Sequence, residues 1–435
     1  MKKRLAKYIA VLVMIPVLFL SGCSGLDVFE FNIMNELFED FGGPGASENP
    51  IPEDYERPVL SEDMNEAYID FSIELFKRSL TEGENSLISP ASAEFALAMA
   101  LNGADGDTLT EMLTVLCPGA SKEEINTFVQ DLNSMLTYSA GAEIHIANSM
   151  WNNESILGNC LNETYANTLK ETMNAEAHML PFDDGAVTEI NNWVNTNTDG
   201  MIPSLIEEID PLTAMYLINA MTFEGKWEEA YKEHQINENG IFTNADDEEE
   251  TARMLREIGE YYLENDDATG FIKYYEGKEY AFMAMLPKEE GAIEDYVADM
   301  TAEDYIEFYE SLTTEYDVVT ELPCFTYSYD ILLNNALKDM GMSTAFTEGL
   351  ADFSLMVTDE TVNLHISKVI HKTYIELNEE GTKAAAVTGV EMQNDMAPAP
   401  KEQKEVILDR PFVFAIVDAK TGIPVFIGTL NSVAE

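Results

Sequence analysis

The segment Glu379-Glu380-Gly381-Thr382-Lys383-Ala384-Ala385-Ala386-Val387-Thr388-Gly389 is the most informative stretch of this sequence. From Thr382 onward it alternates with the period of two that puts successive side chains on opposite faces of a β-strand. No proline occurs between residues 379 and 396, so the segment could pair as a strand. A flexible Ala/Gly/Thr linker would not produce this parity. One face carries only small or apolar residues, and the other carries every charge; the two sets are Thr382, Ala384, Ala386, Thr388, Val390 and Met392, and Lys383, Ala385, Val387, Gly389, Glu391 and Gln393.

Other short blocks follow one another along the chain on both sides of this segment. Each block alone would be a weak signal, but an ordered series over most of a chain is specific. In chain order they are NSLISPAS at 85–92, ANSMW at 147–151, INNWVN at 190–195, GMIP at 200–203, NAMTFEGKW at 219–227, LPCF at 322–325, LKDMGM at 337–342, RPFVF at 410–414 and FIG at 426–428.

Taken together, these blocks resemble the serpins, the family of serine protease inhibitors, over essentially all of residues 61–430. The resemblance implies an α+β serpin fold in residues 61–435: a single large domain with three β-sheets, about eight or nine helices and an exposed reactive-centre loop at about residues 379–409. It implies a monomer that inhibits rather than catalyses. In inhibitory serpins a protease cuts the loop, forms an acyl-enzyme, and is trapped when the loop inserts into the main sheet. The alternative is a non-inhibitory serpin that acts as a binding or scaffold protein.

The resemblance assigns roles to three groups of residues. The hinge, where insertion begins, comprises Glu379, Glu380, Gly381, Thr382, Ala384, Ala385, Ala386 and Thr388. The shutter, a polar cluster beneath the point where strands part, comprises Ser89, Ser92, Asn219 and His371, and Trp227 matches the tryptophan of the breach, where the loop enters.

The cleaved bond is expected about 14 residues along the loop, counted from Thr382, which gives Asp395-Met396. Met392 and Ala397 remain alternatives, because the loop is longer than usual and its flank is rich in proline. No Lys or Arg occurs between residues 384 and 400, which argues against a trypsin-like target. An elastase-like protease, or another enzyme with an apolar or acid-selective pocket, is expected instead.

The N-terminus has the pattern of an export signal with a lipid anchor. Four basic residues precede an apolar run that is too short for a comfortable membrane span. The run ends in Leu20-Ser21-Gly22-Cys23, which resembles the lipobox of bacterial lipoproteins. We therefore expect a signal peptide at residues 1–22, lipid on Cys23, and an acidic, Pro/Gly-rich tether at residues 23–60 facing outside the cytoplasm. An ordinary secretory signal is the alternative.

The charge is strongly negative. The chain has 435 residues with 24 Lys+Arg and 80 Asp+Glu, a formal charge of −56. This excludes a phosphate-binding surface, so no nucleic-acid partner is expected. The content of 46% hydrophobic residues is sufficient for a large core.

Catalytic and metal-binding motifs are missing from the sequence. Neither the nucleophile elbow, the zinc-protease motif nor a nucleotide-binding loop occurs, which counts against a surface hydrolase. No cofactor or metal site is expected. Cys117, Cys160 and Cys324 are interpreted as buried thiols. His365 and His371 are expected on one face of a single strand, as structural residues.

The order of predicted elements is helices first and strands later. Helical periodicity predicts helices over residues 64–78, 108–116, 121–136, 162–173 and 186–198, with another starting at Ser89-Pro90. A capping box is predicted at Ser121 and Glu124. Strands are predicted at 144–150 and then, after about residue 215, at 216–222, 280–286, 364–377, 412–417 and 425–429.

Overall fold

The computed structural model describes residues 51–52, 55–158, 160–289, 291–359, 361–382 and 401–434. Within these ranges the chain forms ten α-helices, eight of them with seven residues or more. The helices are α1 (Glu62–Lys77), α2 (Pro90–Gly103), α3 (Gly106–Leu116), α4 (Lys122–Thr137), α5 (Glu154–Leu157), α6 (Glu163–Met173), α7 (Asp184–Asn197), α8 (Ile293–Asp299), α9 (Ala302–Glu310) and α10 (Asn334–Asp339).

Capping hydrogen bonds from nearby side chains mark where the helices begin. The Ser89 hydroxyl accepts a hydrogen bond from the Ser92 backbone N–H, and proline occupies the first position of α2. At α4, Ser121 and Glu124 form the reciprocal capping box that the sequence predicts. Helix α2 is buried along almost its whole length, because sheets and other helices surround it.

Sixteen strands lie in the described ranges. They are β1 (Ser86–Ile88), β2 (Ala142–Asn153), β3 (Glu176–Leu180), β4 (Met215–Lys226), β5 (Ile236–Thr243), β6 (Glu249–Gly259), β7 (Tyr262–Glu264), β8 (Ala268–Tyr274), β9 (Tyr280–Pro287), β10 (Tyr316–Pro323), β11 (Phe325–Leu332), β12 (Ile370–Asn378), β13 (Gly381–Thr382), β14 (Glu402–Ile407), β15 (Phe412–Asp418) and β16 (Pro424–Leu430).

These strands form three sheets. The central sheet has the order β11-β12-β13-β4-β2-β3, the back sheet β1-β16-β15-β9-β8-β7, and the four-stranded sheet β14-β10-β6-β5. Helix α2 contacts both β4 of the central sheet and β16 of the back sheet. The α+β class, the single domain and the three sheets are confirmed. Eight of the ten helices in the described residues have seven residues or more, which agrees with the eight or nine expected, and the other two, α5 and α10, are very short.

Both faces of the central sheet are covered. Even-numbered residues of β4, such as Tyr216 and Ile218, pack with Ile190 and Val194 of α7 in an apolar cluster. The buried residues of β12 are the odd-numbered ones, His371, Thr373, Ile375 and Leu377, which face the interior. The period of two therefore separates an outer, α7-facing side from an inner side.

The expectation of helices first and strands later is wrong, because β1, β2 and β3 all precede residue 215. The strand predicted at 364–377 begins only at Ile370. The backbone N–H of Ile366 donates to the Ala345 carbonyl and that of Val369 to the Asn334 side chain, so neither joins a ladder. His365 is consequently exposed, and it does not share a strand face with buried His371.

The expectation of three buried thiols is also wrong in part. Cys117, Cys160 and Cys324 are free, but only Cys117 is buried, and the other two are partly exposed. Burial raises the pKa of the Cys324 thiol to about 12, so this side chain stays protonated at neutral pH.

The last residues of the predicted tether contact the domain. The Tyr55 hydroxyl donates to the Ser134 carbonyl at 3.2 Å, and Arg57 forms ion pairs with Asp418 and Glu279. Leu60 is buried. The packed part of the chain therefore begins a few residues before residue 61. None of the described helices is both long and apolar enough to span a bilayer.

Helix α2 carries one carboxyl in its buried interior. Glu94 is 3% exposed, and its Oε2 atom has no hydrogen-bond partner among the described residues. Burial raises the pKa of this carboxyl to about 8 from the ordinary value of 4.5. Glu94 is therefore a neutral acid at neutral pH.

We expect Glu94→Gln to remove a pH dependence of stability. Because the folded pKa exceeds the unfolded one, the folded state binds the extra proton, and stability falls as pH rises from 4.5 towards 8. The limiting slope is roughly 1.4 kcal/mol per pH unit. In guanidinium unfolding at pH 5, 7 and 9, the free energy of unfolding of Glu94→Gln should rise relative to that of the wild type as the pH increases. The exposed control Glu82→Gln should not, and a pH-independent difference for Glu94→Gln would contradict the assignment.

Candidate functional site: the hinge of the central sheet

Strand β13 lies between β12 and β4. Strand β12 ends at Asn378, a tight turn follows, and β13 pairs antiparallel with both neighbours. Thr382 is opposite Leu377 on one side and Gly225 on the other. Within the described residues β4 and β12 are joined by no ladder of their own. The hinge thus begins as a two-residue wedge between two long strands.

Gly381 is required by the close approach of the backbone of β4. A Cβ atom at this position would lie 2.0 Å from the carbonyl oxygen of Gly225, and φ is +154°. No side chain can be accommodated without moving β4, so only glycine permits this pairing.

Thr382 faces the interior. Its side chain is 2% exposed, and its hydroxyl shares a hydrogen bond of 2.7 Å with the hydroxyl of Tyr275. Tyr275 is itself fully buried and stacks on Trp227, with ring centroids 4.6 Å apart. The first hinge threonine is therefore held by a buried polar contact on an aromatic platform.

Trp227 binds the turn that precedes β13. Its indole Nε1 donates to the Asn378 carbonyl at 3.0 Å, and its backbone N–H donates to the Glu380 carbonyl at 2.9 Å. Trp227 is 3% exposed. The tryptophan that the sequence places at the breach thus contacts both ends of the hinge turn.

Glu379 is paired with an arginine of another sheet. Arg253, on β6 of the four-stranded sheet, donates from both terminal nitrogens to the Glu379 carboxylate at 2.7 and 2.9 Å. Arg253 also contacts Glu238. Both partners of the hinge pair are partly exposed, so the pair contributes at most about 1 kcal/mol. Its structural effect is to connect the hinge turn to the four-stranded sheet.

Sequence reasoning missed Arg253 and Tyr275. Each is more than 100 residues from its hinge partner along the chain. Neither lies in a block that carried the resemblance, so no local pattern pointed to them.

The predicted shutter residues meet below the hinge, with one exception. His371 is 4% exposed, and its Nε2 atom accepts a hydrogen bond from the Ser89 backbone N–H at 3.0 Å. Burial lowers the pKa of His371 to about 4, so the ring is neutral, as the acceptor role requires. Asn219 instead donates to Asn148 of β2 at 2.7 Å.

Ser89 connects this cluster to the back sheet. Its hydroxyl donates to the Val425 carbonyl of β16 at 2.9 Å and accepts from the Ser92 N–H at 3.2 Å. One residue therefore caps α2, holds His371 of the central sheet and bonds to the back sheet. The cluster joins three layers at the level of β12.

Several predicted site residues lie outside the described residues. These are the hinge positions Ala384, Ala385, Ala386 and Thr388, the candidate bonds at Met392, Asp395-Met396 and Ala397, and the lipidation site Cys23.

The chain has clear similarity to known proteins. A family model described as Serpin (serine protease inhibitor) matches residues 66–433. A serpin-like protein of Thermococcus kodakarensis is 32% identical over 393 residues, covering 89% of this chain and 88% of that protein. Serpin B10 of Bos taurus is 30% identical, covering 86% of this chain and 99% of that protein. The crystal structure of the thermophilic serpin Tengpin in its native state has a TM-score of 0.80 at 37% identity, covering 87% of this chain and 96% of that chain.

The Thr382–Tyr275 contact can be tested with a double-mutant cycle. We expect Thr382→Val and Tyr275→Phe each to lower the free energy of unfolding of the uncut protein by about 1–3 kcal/mol, because each leaves a buried hydroxyl unpaired. The double variant should cost less than the sum, since it removes both hydroxyls. Guanidinium unfolding measures all three. Strict additivity would mean that the two hydroxyls do not bond.

Proposed function

This chain belongs to the serpin family of serine protease inhibitors, and we propose that it inhibits serine proteases by inserting its own cleaved loop into the central sheet. Members of the family are generally inhibitors rather than enzymes. The observation that carries the proposal is the position of β13: the first two residues of the hinge strand already pair with both β12 and β4.

The proposed reaction starts as ordinary proteolysis. The Oγ atom of the protease serine attacks the carbonyl carbon of the loop residue before the cut, and the peptide C–N bond breaks. The new amine leaves with a proton, and the loop stays bound to the protease as an ester. Insertion of the loop then carries the protease away before water can hydrolyse that ester. The inhibitor supplies the bond and the sheet, and no catalytic side chain.

The register of β13 supports this mechanism. Thr382 is opposite Gly225 and Leu377, and both pairings are antiparallel. A longer strand in the same register would put Ala384 opposite Phe223 and Ile375, then Thr388 opposite Asn219 and His371. Even-numbered loop residues would share a face with the buried, odd-numbered residues of β12. The small or apolar set of the loop is therefore the set that would be buried.

The charges on the outer face fit the same register. Lys383 would lie opposite Glu224 of β4 and Glu376 of β12, so a cation would meet two carboxylates at the start of insertion. Opposite charges directly across neighbouring strands contribute roughly 0.2–1 kcal/mol each. Insertion by one more residue would thus be favoured electrostatically.

We place the cut at Asp395-Met396, with Met392 and Ala397 as the alternative sites, and propose an elastase-like or other non-trypsin-like target. The absence of Lys and Arg from residues 384–400 supports this choice. The formal charge of −56 would favour encounter with a basic protease.

Incubation with elastase, chymotrypsin and subtilisin should give a complex that survives SDS gel electrophoresis, with trypsin as the control that gives none. Mass spectrometry of the released C-terminal peptide locates the cut. Cleavage without a complex for every protease would favour the alternative, a non-inhibitory serpin that acts as a binding or scaffold protein.

A matched pair of loop variants separates insertion from cleavage. Thr388→Arg puts a charge on the inward face, where burial costs several kcal/mol, so the variant should be cut without forming a complex. Ala385→Arg puts the same charge on the outward face opposite Thr222 and Tyr374, outside the apolar cluster beneath α7, and should keep most of the complex. Equal yields from the two variants would argue against insertion in this register.

We also propose that the protein is exported and held at the membrane by lipid on Cys23, facing outside the cytoplasm. The basic start, the short apolar run and the Leu20-Ser21-Gly22-Cys23 block support this. Removal of residues 1–22 takes four basic and no acidic residues, which leaves a charge of about −60.

Metabolic labelling with a clickable palmitate analogue tests the anchor. The full chain expressed in a bacterium should be labelled and should sediment with membranes, and Cys23→Ser should be unlabelled. Cys117→Ser, which changes a thiol of the domain, is the control that should keep the label. Label on both variants would place the lipid elsewhere.

A further inference from the structure

A cavity of about 570 Å³ lies over the outer face of the central sheet. Its floor is formed by residues of β11 and β12, among them Ser328, Lys372 and Tyr374. Its other wall is the segment 199–203, which follows the end of α7. The volume falls within the roughly 300–1,000 Å³ that is typical of small-molecule sites. The cavity is therefore large enough for a small organic ligand.

The wall formed by residues 199–203 is fixed to α7. The Ile202 backbone N–H donates to the Thr198 hydroxyl at 3.1 Å, and the Gly200 N–H donates to the Asn195 carbonyl at 2.8 Å. Ile202 is also buried in the apolar cluster in which α7 packs on β4. The floor, in contrast, belongs to β11 and β12, on the other side of β13. The two walls are therefore attached to parts of the sheet that β13 separates.

The two walls carry opposite charges. Asp199 is exposed, lines the cavity and comes just after the C-cap residue of α7. Its carboxylate has no hydrogen bond or ion pair with another residue that the structure describes. The last carbonyl groups of α7 add partial negative charge at this end. On the floor, Lys372 is paired at 3.4 Å with exposed Asp330, a contact that costs little to exchange for another.

These charges distinguish between classes of ligand. A purely anionic ligand would be repelled by Asp199 and by the field of a chain with a formal charge of −56. A purely cationic ligand would be repelled by Lys372. A molecule with an ammonium group at one end and a carboxylate at the other would be attracted by both walls. A peptide of a few residues with free ends has both groups, and its backbone can bond to the exposed hydroxyl of Ser328.

We propose that this cavity binds a short peptide with free ends, with its ammonium group at Asp199 and its carboxylate at Lys372. A peptide in this position would connect the α7 side of the sheet to β12. The site follows from the cavity and its charges alone, whereas its consequence for inhibition rests on the proposed function.

The consequence arises because the peptide contacts both walls. Insertion of a strand between β4 and β12 would move the walls apart by roughly one strand spacing of 4.8 Å, so the same peptide would no longer reach both. Peptide binding would therefore favour the uncut form. By linkage, insertion of the loop would weaken peptide binding to the same extent.

Calorimetric titration of the uncut protein with trialanine tests the site. Trialanine with both ends free should bind at millimolar concentration. Trialanine that is acetylated at its N-terminus or amidated at its C-terminus should bind about tenfold more weakly, because each form loses one charge-assisted contact. Absence of binding by free trialanine, or equal binding of the free and blocked peptides, would overturn the proposal.

Single substitutions assign the two ends of the peptide. Asp199→Asn suits the left-handed backbone at this position, where φ is +47°, so the variant should fold. It should bind free trialanine about tenfold more weakly than the wild type and should no longer respond to N-acetylation. Lys372→Gln should lose the response to C-amidation instead. If both variants respond to the two blocked ends as the wild type does, the assignment is wrong.

Asp330→Asn is the matched control for Lys372→Gln. Both variants remove the same ion pair on the floor of the cavity, but only Asp330→Asn keeps the ammonium group. Asp330→Asn should therefore bind trialanine as tightly as the wild type or more tightly. Equal losses of binding in the two variants would mean that the ion pair, rather than Lys372, is required, and would overturn the role of Lys372.

Inhibition assays separate the site from its consequence. With the same protease, free trialanine should lower the yield of SDS-stable complex for the wild type but not for Asp199→Asn. An unchanged yield for the wild type, or an equal loss in both proteins, would refute the coupling to insertion and leave the binding result intact. A wild type that forms no complex with any protease, even without peptide, would instead refute the proposed function.

Discussion

The wedge of two residues between β4 and β12 constrains the rest of the molecule. Gly381 and Thr382 offer little pairing of their own, so the hinge depends on contacts from outside the central sheet. Tyr275 follows directly after β8 of the back sheet, Arg253 lies in the four-stranded sheet, and Trp227 follows β4. Each contact is modest, with a single hydrogen bond contributing about 1 kcal/mol. Because all of them end on the hinge turn or on β13, a shift of the hinge would release contacts with all three elements.

Below the wedge, the polar cluster around His371 meets a related constraint. Under the proposed mechanism β4 and β12 separate, and apolar side chains joining them would then be exposed to water. Ser89 and His371 join β12 to α2 by a hydrogen bond rather than through β4. Asn219, on β4, bonds instead to β2. The polar contacts of β12 and those of β4, on the two sides of the junction between these strands (the seam), are therefore separate. The strands can change their pairing at the seam without breaking those contacts.

Local signals in the sequence predicted local structure. The capping box of α4 and the start of α2 at Pro90 needed only neighbouring residues, and both are found. The alternation of the hinge segment predicted that the side chain of Thr382 would face the interior, and this side chain is buried. Long-range partners had no such signal, since Arg253 is 126 residues from Glu379 along the chain. Residues 364–369 do not form the strand predicted for them, because their backbone bonds to Asn334 and Ala345 instead. The three sheets were predicted only from the resemblance of the ordered blocks to a known family, and not from the residues themselves.

The acidity of the chain bears on the proposed insertion of the loop as a new strand of the central sheet. An unpaired charge buried beside that strand would cost several kcal/mol. The inner face of the seam accordingly carries no carboxylate on either β4 or β12, and its one titratable group, His371, is held neutral by burial. Glu94, buried on α2, is likewise neutral because its pKa is raised to about 8. The carboxylates of the seam, Glu224 and Glu376, lie on the outer face, where the register would bring Lys383 between them. This segregation of charge by strand parity would leave an uncharged inner path for the proposed insertion, even in a strongly acidic protein.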